Sequence, residues 1–131
     1  MLKHVLKVLI VVCVISLMIQ GDSFASSKQK DPCQDAETQT DLNDCVFKEY
    51  KKADARLNRM YKRIMKKLEP AEKSRLLASQ RAWLKYRDAI ADELLERGGS
   101  AAPMRMYGAM KTATLERIKF LKWHYETEGV V

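Results

Sequence analysis

Apolar residues recur every three or four positions along the middle of the chain, which is the spacing of an amphipathic α-helix. The pattern begins after Thr38 and meets no helix-breaking residue until Pro70. It predicts a first helix over residues 38–68, which is long for a small domain. The residues that form this apolar stripe are Leu42, Cys45, Val46, Tyr50, Ala53, Leu57, Tyr61, Ile64 and Leu68.

Two further helices are predicted after the first. Pro70 suits the first turn of a helix, where its missing N–H group has no partner to lose. The second apolar stripe runs to Leu94 and stops at Gly98-Gly99-Ser100, a typical C-terminal stop signal. Pro103 opens a third helix, whose stripe ends near Leu121. No segment alternates like a β-strand, so we predict an all-α fold, an antiparallel up-down-up bundle of three helices with a long first helix.

Polar side chains interrupt the apolar stripe of the second helix. Gln80 and Arg87 stand where Leu or Ile would be expected. A buried charge requires a partner, because an unpaired one destabilises the fold by several kcal/mol. If the first two helices are antiparallel, Asp54 falls opposite Arg87 or Asp88, and Asn58 lies one turn nearer the connecting loop. We interpret Asp54, Asn58, Gln80 and Arg87 as a structural polar network, with a polar binding pocket as the alternative.

The N-terminus has the layout of a secretory signal peptide. Lys3 and Lys7 precede an uncharged apolar run over residues 8–19, and the small residues Ser23 and Ala25 provide a cleavage site. The apolar run is shorter than the roughly 20 residues that span a bilayer. We therefore predict a signal peptide over residues 1–25 and a single domain over residues 26–131, exported to the periplasm or secreted. An N-terminal anchor that is not cleaved is the alternative.

Export also bears on the cysteines. Cleavage would remove Cys13 and leave Cys33 and Cys45. In an oxidising compartment two cysteines most simply form a disulfide. Such a bond would close a loop of about a dozen residues and stabilise the fold by roughly 3 kcal/mol. Two free thiols are the alternative, which the compartment disfavours.

The charge is positive overall and unevenly distributed. The formal net charge is +7, which would ordinarily suggest nucleic acid as a partner; export makes anionic surfaces of the cell envelope a better match. Residues 31–46 carry five acids and no Lys or Arg, whereas residues 48–67 carry nine basic residues. In an antiparallel bundle, the end of helix 2 lies beside the start of helix 1. It contributes four more acids to that end, Asp88, Asp92, Glu93 and Glu96. We predict an acidic end that also holds the loop 98–100, and a basic opposite end.

No pattern in the chain indicates catalysis. The chain after residue 25 has a single histidine, His124, and both of its cysteines are assigned to a disulfide, which leaves no set of metal ligands. No glycine-rich loop follows a strand, as nucleotide cofactors would require. Acid pairs such as Asp92 and Glu93 are predicted on an exposed helix face and not in a cleft. We expect a protein that is not an enzyme, with no catalytic residue, metal or cofactor.

Several short pieces of the sequence, taken in their order and spacing, resemble the lysozyme-inhibitor LprI-like domain of bacterial envelope proteins. The pieces are Cys33, Thr38-Gln39, Asn43-Asp44-Cys45, Tyr50, Ala53-Asp54, Leu57-Asn58, Tyr61, Gln80-Arg81-Ala82-Trp83-Leu84-Lys85-Tyr86-Arg87-Asp88, and Gly98-Gly99-Ser100 with Pro103. The resemblance implies a helical domain with a Cys33–Cys45 disulfide and, for the member that named the family, inhibition of lysozyme. Members often carry a second cysteine pair, and Ala91 and Met110 stand in its place here.

We therefore predict a binding or inhibitor protein that acts on lysozyme or another peptidoglycan hydrolase. A narrow loop with an acidic rim could enter a lysozyme cleft while its flanks pair with Arg and Lys. The candidate contact residues are Asp88, Asp92, Glu93, Gly98, Gly99 and Ser100. One alternative is a structural or stress-linked envelope protein whose basic face binds anionic surfaces, and another is an immunity-type protein that blocks a competitor's cell-wall hydrolase. We expect no nucleic-acid partner, and membrane contact only through the signal peptide before cleavage.

Overall fold

Three helices account for most of the residues that the computed structural model describes, which are residues 31–127. Helix α1 spans Gln39–Lys67, α2 spans Pro70–Glu96 and α3 spans Ala102–Thr127. The described residues contain no strand, and none of these helices is long and apolar enough to cross a membrane. The predicted all-α fold is confirmed, with α1 the longest helix at 29 residues. The predicted signal peptide, residues 1–25, lies outside the described range.

Capping interactions set where the first two helices begin. At the start of α1, the Thr38 hydroxyl accepts a hydrogen bond from the Asp41 backbone N–H at 3.1 Å, and the Asp41 carboxylate accepts one from the Thr38 N–H at 3.1 Å. This reciprocal pair satisfies two of the donors that a helix start leaves without partners. Glu69 and Glu72 form the same kind of pair at the start of α2, with Pro70 as the first helical residue. The connection between α1 and α2 is therefore only two residues long.

Helix α3 packs against both other helices and defines their directions. The starts of α1 and α3 lie together, because the Asn43 side-chain amide donates to the Ser100 carbonyl oxygen at 3.0 Å. Leu76, near the start of α2, packs with Ile118 and Tyr125 in the second half of α3. Helices α1 and α3 are thus parallel and α2 is antiparallel to both, which confirms the predicted up-down-up arrangement.

The main apolar core lies in the half of the bundle that contains the α1–α2 connection. Its members come from all three helices and are Leu57, Met60, Ile64, Leu68, Leu76, Ile118, Leu121 and Tyr125. Ile64 and Leu121 are completely buried. In the other half, the residues that α2 and α3 bury are the small side chains Ala91 and Ala102. That half also buries Tyr50 of α1, which stacks on Tyr107 of α3 with ring centroids 5.9 Å apart. The half with the α1–α2 connection therefore buries more large side chains, and the opposite half has a thinner core.

A disulfide strengthens the half with the thinner core. Cys33 and Cys45 are bonded, with their Cα atoms 5.8 Å apart, so the predicted pairing is confirmed. The bond ties the segment before α1 to the second turn of that helix, and Cys33 is buried beneath it. Loops of this length contribute about 3 kcal/mol when a disulfide closes them, because the crosslink restricts the unfolded chain.

Candidate functional site

The acidic end of the molecule, defined here as residues 31–46 and 88–101, combines three parts of the fold. The segment before α1 and the first turns of α1 carry five of the acids. The last turns of α2 carry Asp88, Asp92, Glu93 and Glu96. Since α1 and α2 are antiparallel, both groups lie at the same end of the bundle. The loop between α2 and α3 lies between them.

The loop at this end turns on two glycines. Gly98 and Gly99 have φ angles of 67° and 82°, in the left-handed region that side chains with a Cβ atom rarely adopt. A Cβ atom at either position would meet nothing within 4 Å. Both glycines are exposed, and no neighbouring atom occupies the space where a Cβ atom would stand. The tip of the loop is narrow, and a partner surface could approach its peptide groups closely.

Hydrogen bonds from two helices hold the loop in place. The Asn43 amide of α1 donates to the Ser100 carbonyl oxygen at 3.0 Å, and the Arg105 guanidinium of α3 donates to the Gly98 carbonyl oxygen at 2.7 Å. Within the loop, the Gly98 N–H donates to the Leu95 carbonyl oxygen at 3.0 Å. The loop is thus anchored on both sides although Ala91 and Met110 stand where a second disulfide would be expected.

Asn43 and Arg105 are site residues that the sequence reasoning did not single out. Asn43 belongs to the Asn43-Asp44-Cys45 piece of the family resemblance, and that was the available signal. Its side chain also accepts a hydrogen bond from Gln39 at 3.0 Å, which fixes the direction of its amide group. Arg105 carried no signal, because a single arginine near a helix start has no distinctive pattern.

The three acidic candidates differ in how their charges are compensated. The Arg87 guanidinium holds the Asp88 carboxylate at 2.7 Å, and Arg97 pairs with Glu93 one turn further along α2. Among the described residues, the Asp92 side chain has no hydrogen-bond or ion-pair partner. Asp92 and Glu93 lie next to the loop, whereas Asp88 is a full turn further away. Asp92 therefore contributes the least compensated charge of the three.

An apolar side chain accompanies these acids at the edge of the loop. Leu95 is 46% exposed, and its carbonyl oxygen accepts the hydrogen bond from Gly98. Protein interfaces generally contain an apolar centre surrounded by polar residues. Leu95 supplies such a group beside Asp92 and the glycine loop. The apolar stripe predicted for helix 2 ended at Leu94, so Leu95 was not among the predicted site residues.

Most of the predicted polar network lies together, between α1 and α2. The Arg87 guanidinium lies 3.4 Å from the Asp54 carboxylate, and the Asn58 amide donates to the same carboxylate at 3.1 Å. Arg87 is 11% exposed and Asp54 23% exposed, so the pair is only partly shielded from water. Burial raises the pKa of the neighbouring Tyr50 phenol. The charge of Arg87 opposes that increase, and the charges of Asp54 and Asp88 add to it.

Gln80 is hydrogen-bonded to Arg117 and not to the members of the Asp54 network. The Arg117 guanidinium donates to the Gln80 side-chain oxygen at 3.0 Å and to the Ser79 hydroxyl at 2.9 Å. Arg117 is 8% exposed, and its burial lowers the pKa of its guanidinium. Gln80 therefore stabilises the buried Arg117 cation of α3 through a hydrogen bond. The network predicted from the sequence involved helices 1 and 2 alone, so it did not include Arg117.

The geometry defines a class of protein, a small disulfide-linked three-helix domain that presents an anchored glycine loop between charged helix ends. Residues 30–121 match the family described as lysozyme inhibitor LprI. This chain belongs to the LprI lysozyme-inhibitor family. An uncharacterized protein of Rhizobium meliloti (strain 1021) is 32% identical over an alignment of 124 residues, which covers 82% of this chain and 89% of the relative. No solved structure gives a significant match.

Proposed function

We propose that this protein is exported and binds and inhibits lysozyme or a related peptidoglycan hydrolase through its acidic end. The observation that carries the proposal is the family match over residues 30–121, which includes α1, α2, the glycine loop and most of α3. Export rests on the signal peptide predicted for residues 1–25. We expect no catalytic activity of the protein's own.

The anchored loop supports a role as a rigid contact element. Binding usually loses free energy when a flexible segment must be ordered, so a loop that is already held in position binds with a smaller entropic cost. The hydrogen bonds from Asn43 and Arg105 provide that order before a partner arrives. The exposed backbone of Gly98 and Gly99 suits entry into a narrow cleft.

Local charge supports the choice of the acidic end over other surfaces. Animal lysozymes are generally cationic. The full chain has a formal net charge of +7, and removal of Lys3, Lys7 and Asp22 with residues 1–25 leaves +6, so the exported protein is repelled by them overall. An approach is favourable only from the side where acids dominate. Asp92 and Glu93 lie beside the loop on that side, and charges at the rim of an interface act mainly on the association rate.

The experiment measures the association rate between the purified protein and a cationic lysozyme at several ionic strengths. We expect the double variant Asp92→Lys with Glu93→Lys to associate about tenfold more slowly at low salt, with the difference shrinking as salt rises. Its thermal stability should change little, because the exposed Glu93–Arg97 pair contributes well under about 1 kcal/mol.

The matched control reverses two exposed charges on α1, away from the loop, as Lys51→Glu with Lys52→Glu. These changes should not slow association. A parallel lysis assay on cell walls shows whether binding also inhibits the enzyme. Equal slowing in both variants, or slowing in the control alone, would place the interface elsewhere on the protein.

A further inference from the structure

A half-open groove runs between α2 and α3, in the half of the bundle that contains the α1–α2 connection. Its lining residues are Glu72, Arg75, Leu76 and Ser79 of α2 and Phe120, His124 and Tyr125 of α3. Along α2 it extends over two helical turns, or about 10 Å. It encloses ≈ 210 Å³, less than the roughly 300–1,000 Å³ of sites for drug-sized ligands. The groove therefore has room for a ligand of about one ring.

A buried cation lies against both walls at the Ser79 end of this groove. The Arg117 guanidinium donates to the Ser79 hydroxyl at 2.9 Å, and its carbon is 5.2 Å from the centre of the Phe120 ring. Its hydrogen-bond partners within the described part of the chain, Gln80 and Ser79, are neutral. Burial lowers the pKa of Arg117, and a buried cation is stabilised by a nearby anion. An anionic ligand in the groove would supply the negative charge that these partners lack.

Two hydrogen-bond donors at this end are available to such a ligand. Ser79 is exposed, and its own O–H has no acceptor among residues 31–127. The hydrogen bond that Ser79 accepts from a cation makes its O–H a stronger donor. Arg75 lies one turn before Ser79, and its guanidinium forms no hydrogen bond or ion pair with the described residues. Together the two side chains match the two oxygens of a carboxylate.

The acid of the groove lies at the other end. The Glu72 carboxylate accepts a hydrogen bond from the Glu69 backbone N–H at 3.2 Å, at the start of α2. Glu72 precedes Ser79 by two helical turns, about 10 Å along the axis. The groove therefore has one end for an anionic group, next to Ser79, and an acidic end that would repel a second one.

Aromatic side chains form the α3 wall. Phe120 is 46% exposed and stacks on His124, with ring centroids 5.8 Å apart. His124 in turn contacts the Tyr125 ring edge to face at 4.6 Å, and Leu76 lines the groove from α2. Apolar and aromatic walls with a few polar groups are typical of small-molecule sites, and aromatic rings pack well against a flat apolar group.

We propose that the α2–α3 groove binds a small molecule in which a carboxylate is attached to a flat apolar ring. The carboxylate bonds to Ser79 and Arg75, and the ring lies against Phe120 and Leu76. An inorganic anion would use the donors and leave the apolar wall in contact with water, and a long peptide would exceed the volume of the groove. The proposal is independent of lysozyme inhibition, because the glycine loop lies at the opposite end of the bundle.

The experiment titrates the purified protein with benzoate and with benzamide, its neutral counterpart of the same shape, and follows binding by NMR. We expect benzoate to bind with a dissociation constant of about a millimolar, as a ligand of this size allows. Benzamide should bind at least about tenfold more weakly, because it forms no charge-assisted hydrogen bonds. Transfer of magnetisation between the benzoate ring and Phe120 locates the ligand in the groove.

Two variants test the donors, each with a control of the same chemistry on the same helix. Ser79→Ala should weaken benzoate binding about fivefold and Arg75→Gln about threefold, because each removes one polar contact with the carboxylate. Ser74→Ala and Arg81→Gln change exposed residues of α2 that do not line the groove, and they should leave binding unchanged.

The remaining outcomes contradict the proposal. No binding of benzoate, or equal binding of benzoate and benzamide, would show that the groove does not select an anion. Binding of acetate or inorganic phosphate as tightly as benzoate would identify a site for anions in general, with no role for the aromatic wall. Tighter binding of the peptide Gly-Gly-Phe than of benzoate would assign the site to a peptide C-terminus. Equal losses in the groove and control variants would place the ligand elsewhere on the protein.

Discussion

Two arginines contact the same tryptophan, and their charges are compensated in different ways. The guanidinium carbons of Arg87 and Arg117 are 5.2 Å and 6.0 Å from the centre of the Trp83 ring. Arg87 pairs with the carboxylates of Asp54 and Asp88. Arg117 has the neutral partners Gln80 and Ser79.

The difference shows that burial and charge pairing are separate properties of a polar cluster. Removing Arg87 would leave Asp54 partly buried without its cation. Removing Arg117 would leave only neutral groups, and the desolvation that lowers the pKa of Arg117 would disappear with the charge. The same substitution at the two positions should therefore have unequal effects on stability.

The largest effect is expected for Arg87→Met, which keeps most of the side-chain volume and removes the charge. We expect the free energy of unfolding to fall by about 2 kcal/mol, because Asp54 loses its cation and Trp83 loses a cation–π contact. The estimate is at the lower end for broken ion pairs, since Asp54 keeps 23% of its side chain exposed. Urea unfolding at neutral pH measures it.

A second change tests whether the stranded carboxylate is the cause. Adding Asp54→Leu to Arg87→Met should restore at least half of the lost free energy, because the unpaired charge is then gone. If the double variant is less stable than the single one, the loss comes from packing around Trp83 and not from the charge of Asp54.

A smaller effect is expected for Arg117→Met. The loss of hydrogen bonds to Gln80 and Ser79 opposes the gain from removing a desolvated cation, so stability should change by less than about 1 kcal/mol. The same urea measurement applies. A loss as large as that of Arg87→Met would show that the neutral partners compensate Arg117 as fully as carboxylates compensate Arg87.

These clusters also show what the sequence could predict. The period of the apolar residues predicted the three helices, and the short α1–α2 connection placed Asp54 opposite Arg87. The partner of Gln80 could not be predicted, because it depends on how α3 is rotated about its own axis. Arg117 gave no sign of burial, because the apolar stripe predicted for helix 3 contains Ile118 and Leu121 and not Arg117. Partners on the third helix depend on packing of all three helices, which a single helix pattern does not contain.

The acidic end was predictable to a similar degree. Its charges follow from composition and antiparallel order, so the positions of Asp92, Glu93 and the glycine loop at one end could be expected. The ion pair of Asp88 with Arg87 and the anchoring of the loop by Arg105 could not. Both depend on side-chain conformations, which the spacing of residues along a helix leaves open.

The smallest expected effect is a pH dependence of stability that arises from Tyr50, beside Arg87. The guanidinium carbon of Arg87 lies 5.9 Å from the centre of the Tyr50 ring. Burial raises the pKa of Tyr50 above its usual value near 10. As pH rises past that value, the unfolded chain releases the phenol proton first, so the free energy of unfolding falls until the folded pKa is passed.

Tyr50→Phe should remove this part of the alkaline loss of stability. The measurement is urea unfolding of both proteins at pH 8 and at several values above about pH 10, where their difference in stability should move in favour of the phenylalanine variant. The two proteins differ only at residue 50, so the contributions of all other residues cancel in the difference. A difference that stays constant with pH would mean that Tyr50 ionises as readily in the folded protein as in the unfolded chain, and that its contact with Arg87 leaves it open to water.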